Sequence, residues 1–75
     1  MPIDRATLEQ HLTLAEMHVA QGIEHIARQR ELIAKLRRGG HSLLRATDTL
    51  AQFEDLLDLH IADRDRLLHE LGLTG

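Results

Sequence analysis

The sequence predicts an all-α protein: an antiparallel, coiled-coil-like hairpin of two helices that dimerises into a four-helix bundle. Its apolar residues are mainly Leu, Ile and Ala, with one Phe and no Tyr or Trp, a composition typical of helices rather than sheets. They recur in steps of three and four on both sides of one short turn, which is the helical period. A chain of 75 residues is close to the size at which one copy struggles to bury enough apolar surface. We therefore expect a single domain that associates with a second subunit.

The first helix is predicted over about residues 5–37. Asp4 is the expected N-cap, with Ile3 and Leu8 as a hydrophobic staple, and Thr7 with Gln10 forms a competing capping box. Further along, apolar positions alternate in steps of four and three as a heptad seam. The a positions of this seam are Leu12, Val19, Ile26 and Ile33.

The turn is predicted over about residues 38–42, and the second helix over about residues 43–71. Gly39 and Gly40 are expected to supply the left-handed conformation that ends the first helix, and Ser42 is the expected N-cap of the second. Gly72 closes that helix. So short a turn makes the helices antiparallel neighbours, in a hairpin about 50 Å long.

Residues that face each other across this hairpin have numbers that sum to roughly 80. Gly22 then lies opposite Leu57 and near Phe53. Because glycine has no side chain, we expect the phenylalanine ring to fill the space beside it. The alternative is that Gly22 is merely tolerated in the helix, at a cost of about 1 kcal/mol relative to Ala.

The apolar stripe is wider than a two-helix seam needs, which favours a bundle. The simplest closure is a two-fold homodimer of hairpins. Gln29, His60 and Arg64 add polar layers to the seam, and such layers can fix register and oligomeric state. The residues predicted to form the packed interfaces are Leu12, Val19, Ile23, Ile26, Leu32, Ile33, Phe53, Leu56, Leu57, Ile61 and Leu68.

Charge is distributed unevenly along the predicted hairpin. Residues 28–45 contain six Lys or Arg and one Glu, which makes +5, whereas residues 1–27 sum to −3 and residues 46–75 to −5. An antiparallel dimer places each basic turn beside the acidic end of its partner, so we expect that orientation. The alternative is that the basic residues complement only their own helix end and are otherwise solvated.

The basic turn also raises RNA binding as an alternative function. In outline, the predicted dimer resembles the small plasmid-encoded RNA-binding hairpin dimers, although no RNA-contacting motif matches residue by residue. The net charge of −3 and the lack of Tyr and Trp disfavour nucleic acid as a partner.

His11, His18 and His25 repeat every seventh residue, at g positions of the heptad. This spacing separates neighbours by about 10.5 Å along the helix, too far for two of them to share one metal ion. The pairing across the hairpin instead brings His11 close to Asp65 and His69, which makes these three the candidate ligands for zinc or another divalent ion. The alternative is that all the histidines are edge residues of amphipathic helices.

Other classes of function have little support in the sequence. There is no Cys nucleophile, no Gly-rich phosphate loop and no G-x-S-x-G motif, so we expect neither an enzyme nor a bound cofactor. No apolar run approaches the roughly 20 residues of a membrane span. The N-terminal stretch "MPIDRATLEQ" has none of the features of a signal peptide, and we expect a cytoplasmic protein.

Two stretches carry a resemblance to a family: "LAEMHVAQGIEHIARQRELIAKLRRGGH" and "LHIADRDRLLHEL". With them the chain resembles short, uncharacterised helical proteins of alphaproteobacteria that share the segment "HVAxGxxHIxRQRxLIxxLxxxGH" followed by a second helix. The resemblance implies a bacterial source and no site. The predicted function is therefore a small self-associating interaction or scaffolding module, and the alternatives are a histidine-rich metal-binding protein and an RNA-binding dimer.

Overall fold

The computed structural model describes residues 4–73 as two helices packed against each other in a hairpin. Helix α1 spans Arg5–Arg38 and helix α2 spans Leu44–Glu70. The molecule measures 55 × 21 × 16 Å, and the two helices lie side by side along its long axis. The predicted all-helical hairpin is confirmed. Within residues 4–73, neither helix combines the length and the apolar character that crossing a membrane requires.

Helix α1 begins at the first of its two candidate caps. The Asp4 carboxylate accepts a hydrogen bond from the Thr7 backbone N–H at 2.8 Å, which satisfies one of the free donors of the first turn. This backbone bond, with help from the Thr7 side chain, lowers the pKa of Asp4 below its usual value. The staple expected between Ile3 and Leu8 involves a residue outside the described range.

Helix α1 ends in a Schellman motif that needs only one left-handed residue. Gly39 keeps a helical φ of −82°, whereas Gly40 has a φ of +74°. The Gly40 N–H donates to the Arg37 carbonyl at 3.2 Å, and the His41 N–H donates to the Leu36 carbonyl at 2.9 Å. Of the two glycines predicted to supply the left-handed conformation, Gly40 does so and Gly39 is the helix cap, because the motif places a single left-handed residue after the cap.

Helix α2 begins one residue later than expected, and Ser42 is not its N-cap. Leu43 occupies that position without a side-chain hydrogen bond, and the Ser42 hydroxyl lies 3.5 Å from the Leu44 backbone nitrogen. Ser42 thus lies one residue too early to bond the second or third helical N–H group as a cap does. At the other end Gly72, with a φ of +71°, ends α2 as predicted.

The core is a single row of apolar side chains between the two helices. All four predicted a positions of α1 are buried. At the end of the hairpin that carries the chain termini, hereafter the open end, Leu12 and Ala15 pack with Leu67 and Leu71. The buried residues of the described range are Leu12, Ala15, Val19, Ile26, Ile33, Ala46, Leu67 and Leu71.

Gly22 allows the helices to approach closely at mid-length. A Cβ atom at this position would lie 3.1 Å from Cδ1 of Leu57, and the three nearest atoms all belong to that leucine. The expectation that the Phe53 ring fills this space was therefore wrong. The ring instead packs against His25, with 5.7 Å between the ring centres. A leucine directly opposite the glycine reaches it first, and the phenylalanine lies one turn away.

Candidate functional site

One face of the hairpin carries a continuous groove that is lined by three of the histidines, His18, His25 and His60. Its central cleft has a volume of about 190 Å³ and extends to His18 and His60. A second cleft shares His25 and Phe53 with the first. A third, which shares Gln29 with the second, continues to the turn. We call this feature the histidine groove.

The histidines of α1 find their ring partners across the hairpin rather than along the helix. The rings of His18 and His60 lie 4.9 Å apart, centre to centre, with their planes tilted by 42°. One heptad further on, the His25 ring contacts Phe53. The contact between His18 and His60 was not predicted from the sequence. Their numbers sum to 78, so the rule for facing positions contained the signal for this contact.

The predicted metal ligands His11, Asp65 and His69 do not form a metal-binding group in the structure. Within residues 4–73, no three side chains of His, Cys, Asp or Glu lie close enough together to hold one ion. The Asp65 carboxylate accepts hydrogen bonds from its neighbour Arg64 at 3.0 and 3.1 Å.

The structure sorts the predicted interface residues by exposure. The four a positions, Leu12, Val19, Ile26 and Ile33, are buried inside the hairpin. Phe53, Leu57, Ile61 and Leu68 are partly buried. Ile23, Leu32 and Leu56 remain exposed, by 57%, 45% and 49%. Among the predicted interface residues, this last group keeps about half of its surface available to a partner.

The three exposed residues divide between two faces. Leu32 and Leu56 line the histidine groove, whereas Ile23 lines a separate cleft on the opposite side of the seam. That second cleft is bordered by Arg30 and Glu54, whose charged groups approach to 3.8 Å across the hairpin. The histidine groove is therefore the more apolar of the two faces.

Charged side chains at the two ends of the hairpin differ in how far they are paired. On α2 toward the open end, Arg66 donates to Asp63 at 2.8 Å and to Glu70 at 2.9 Å. These two bonds, that to Asp63 first, raise the pKa of Arg66. At the turn, four basic side chains form no ion pair within residues 4–73: Lys35, Arg37, Arg38 and Arg45. The turn therefore presents uncompensated positive charge.

The chain was compared with protein-family models, with curated proteins and with solved structures, and none of them matches. The resemblance to short alphaproteobacterial proteins stays a prediction.

Proposed function

We propose that this protein is a self-associating interaction or scaffolding module, in which two hairpins pack antiparallel through their histidine grooves as a four-helix bundle. The observation that carries the proposal is the pair of half-exposed leucines in the groove, Leu32 and Leu56. Between them lies the partly buried ring of Phe53, which lines two of the three clefts.

A second copy supplies what one hairpin lacks. Only eight residues of the described range are buried, which is a small core for two helices of this length. Covering the exposed half of a leucine side chain stabilises the dimer by about 1 kcal/mol. A hairpin that docks on this groove covers both leucines and the ring in each copy, so the dimer has a larger core than either hairpin alone.

The groove is a better packing face than its opposite. Around Ile23 the neighbouring side chains include Arg30, Glu54 and Asp58, and burying such charges costs free energy unless each finds a partner. In the groove the central cleft has only imidazole and amide groups as polar neighbours, which are cheaper to desolvate, and the charged residues Arg28 and Arg45 line the two clefts nearer the turn.

The charge distribution supports an antiparallel arrangement. The basic residues of the turn carry +5 over residues 28–45, and the rest of the chain is acidic. Antiparallel packing places the turn of one hairpin beside the open end of its partner, so unlike charges become neighbours. Parallel packing would bring two basic turns together, and the repulsion would be strongest at low ionic strength.

Light scattering after size exclusion tests the interface. The wild-type chain should have the mass of a dimer at micromolar concentration, and Leu32→Glu should reduce it to that of a monomer because a carboxylate would enter the apolar groove. Ile23→Glu is the matched control, since it places the same charge on the opposite face of α1 and should leave the dimer intact. A monomeric wild-type chain, or an Ile23→Glu variant that dissociates like Leu32→Glu, would refute the proposal.

Cross-linking tests the orientation, because the chain contains no cysteine and single thiols can be placed at will. Ser42→Cys marks the turn and Leu73→Cys marks the open end. A bis-maleimide should join the two variants to each other in a mixture, and should leave Ser42→Cys alone uncoupled. Efficient coupling of Ser42→Cys to itself would show parallel hairpins instead.

A further inference from the structure

The contact between His18 and His60 joins the two helices near the middle of the hairpin. The ring centres are 4.9 Å apart, and both side chains line the central cleft of the histidine groove. His18 is exposed and His60 half-buried. Within residues 4–73 neither ring forms a hydrogen bond to a protein group. Both imidazoles can therefore offer a nitrogen to a ligand that arrives from solvent.

The separation of the two rings is compatible with two imidazoles bound to one metal ion. With a metal–nitrogen bond of about 2.0–2.1 Å and a ring centre about 1.2 Å beyond the nitrogen, a tetrahedral bond angle separates two ring centres by about 5.2 Å. A right angle, as in square-planar or octahedral coordination, separates them by about 4.5 Å. The observed distance lies between these values, so the separation of the ring centres allows both imidazoles to bind one ion.

We propose that His18 and His60 bind one divalent transition-metal ion, such as Zn²⁺, Ni²⁺ or Cu²⁺, which bridges α1 and α2. Imidazole nitrogen suits these ions, whereas Mg²⁺ and Ca²⁺ take oxygen ligands. The carboxylate of Asp63, one turn after His60, accepts a hydrogen bond from Arg66 at 2.8 Å and is engaged there. The protein ligands are therefore two nitrogens, and water fills the remaining positions.

Both ligands of this site come from one hairpin, although the site lies in the groove that the proposed dimer covers. Because the two ligands lie on different helices, they come together only in the folded chain. An ion that binds the folded hairpin and not the unfolded chain stabilises it by mass action. At a free ion concentration of about 100 times Kd, the melting temperature of a chain of this size should rise by roughly 10 °C or more.

Thermal unfolding followed by helical circular dichroism tests the site. At neutral pH, NiCl₂ or ZnCl₂ should raise the melting temperature of the wild-type chain, and MgCl₂ should not. His18→Gln and His60→Gln should each abolish the rise, while spectra without metal show that both variants remain helical. His69→Gln is the matched control, because it removes an exposed imidazole of α2 at the open end and should keep the full rise.

Three results would overturn the proposal: a wild-type melting temperature that no transition-metal ion changes, a rise that persists in both His18→Gln and His60→Gln, or a rise that His69→Gln abolishes instead. The Leu32→Glu variant separates this inference from the proposed dimer. It should keep the metal-induced rise as a monomer. Loss of the rise in that variant alone would show that the ion needs two hairpins.

Discussion

Leu67 is the position where truncation should cost this hairpin most. Its side chain is 1% exposed and packs at the open end with Leu12, Ala15 and Leu71. Truncation of a fully buried leucine to alanine costs about 2–5 kcal/mol, depending on how far the site relaxes. Two helix ends without a further layer can partly close the cavity, so we expect about 3 kcal/mol for Leu67→Ala. This is a large share of the roughly 4–11 kcal/mol expected for a domain of this length.

Urea unfolding followed by circular dichroism measures this loss directly. The matched control is Leu59→Ala, which makes the same change on the same helix at a side chain that is 68% exposed. The control should change the free energy of unfolding by less than about 1 kcal/mol, since little buried surface is lost and alanine is the better helix former. If Leu67→Ala destabilises the chain no more than Leu59→Ala, the open-end cluster does not hold the helices together and the described packing is wrong.

Three further substitutions test the cap, the close approach and the polar layer. Gly22→Ala should raise the free energy of unfolding by about 0.5 kcal/mol, because the helix itself gains about 1 kcal/mol. Part of this gain is lost because the new Cβ lies 3.1 Å from a methyl group of Leu57, a half-buried side chain that can shift. A loss of stability in urea would show that this leucine is held rigidly. Gln29→Ala removes the hydrogen bond from Nε2 to the Ala46 carbonyl at 2.9 Å and should cost about 1 kcal/mol in the same assay. The lowered pKa of Asp4 means that its carboxylate stabilises the folded chain fully above its ordinary pKa and loses this effect as the pH falls through the lowered value. Asp4→Asn keeps a capping side chain without a charge. The melting temperature of this variant should therefore fall less steeply than that of the wild type as the buffer changes from mildly to strongly acidic.

The hairpin could be predicted from the sequence because local rules and the heptad agree along most of it. Asp4 caps α1, and a glycine after each helix ends it in the left-handed conformation. The a positions became the buried row. The start of α2 could not be predicted as well, because Ser42 is a suitable cap by residue type, whereas Leu43 occupies the cap position without a side-chain hydrogen bond.

Side-chain partners at one level of the hairpin were harder to predict than the level itself. The facing rule placed Leu57 and Phe53 near Gly22, but it did not say which would occupy the free space. The structure shows that the leucine does so. The rule also placed the predicted ligands His11 and His69 at the same level, yet they form no metal-binding group with Asp65. Sequence spacing determines axial height, whereas a ligand set also requires the side chains to turn toward one another.

The seven-residue spacing of the α1 histidines therefore decides less than it first suggests. Along one helix it separates the imidazoles by about 10.5 Å and rules out a shared ion. Across the hairpin the same spacing brings each ring to a different level of α2, where the facing residue differs. His18 meets another imidazole and His25 meets a phenyl ring. The proposed metal site is therefore confined to the level of His18, because His25 faces a phenyl ring. The difference between the two levels lies in the residues of α2 and not in the histidine repeat of α1.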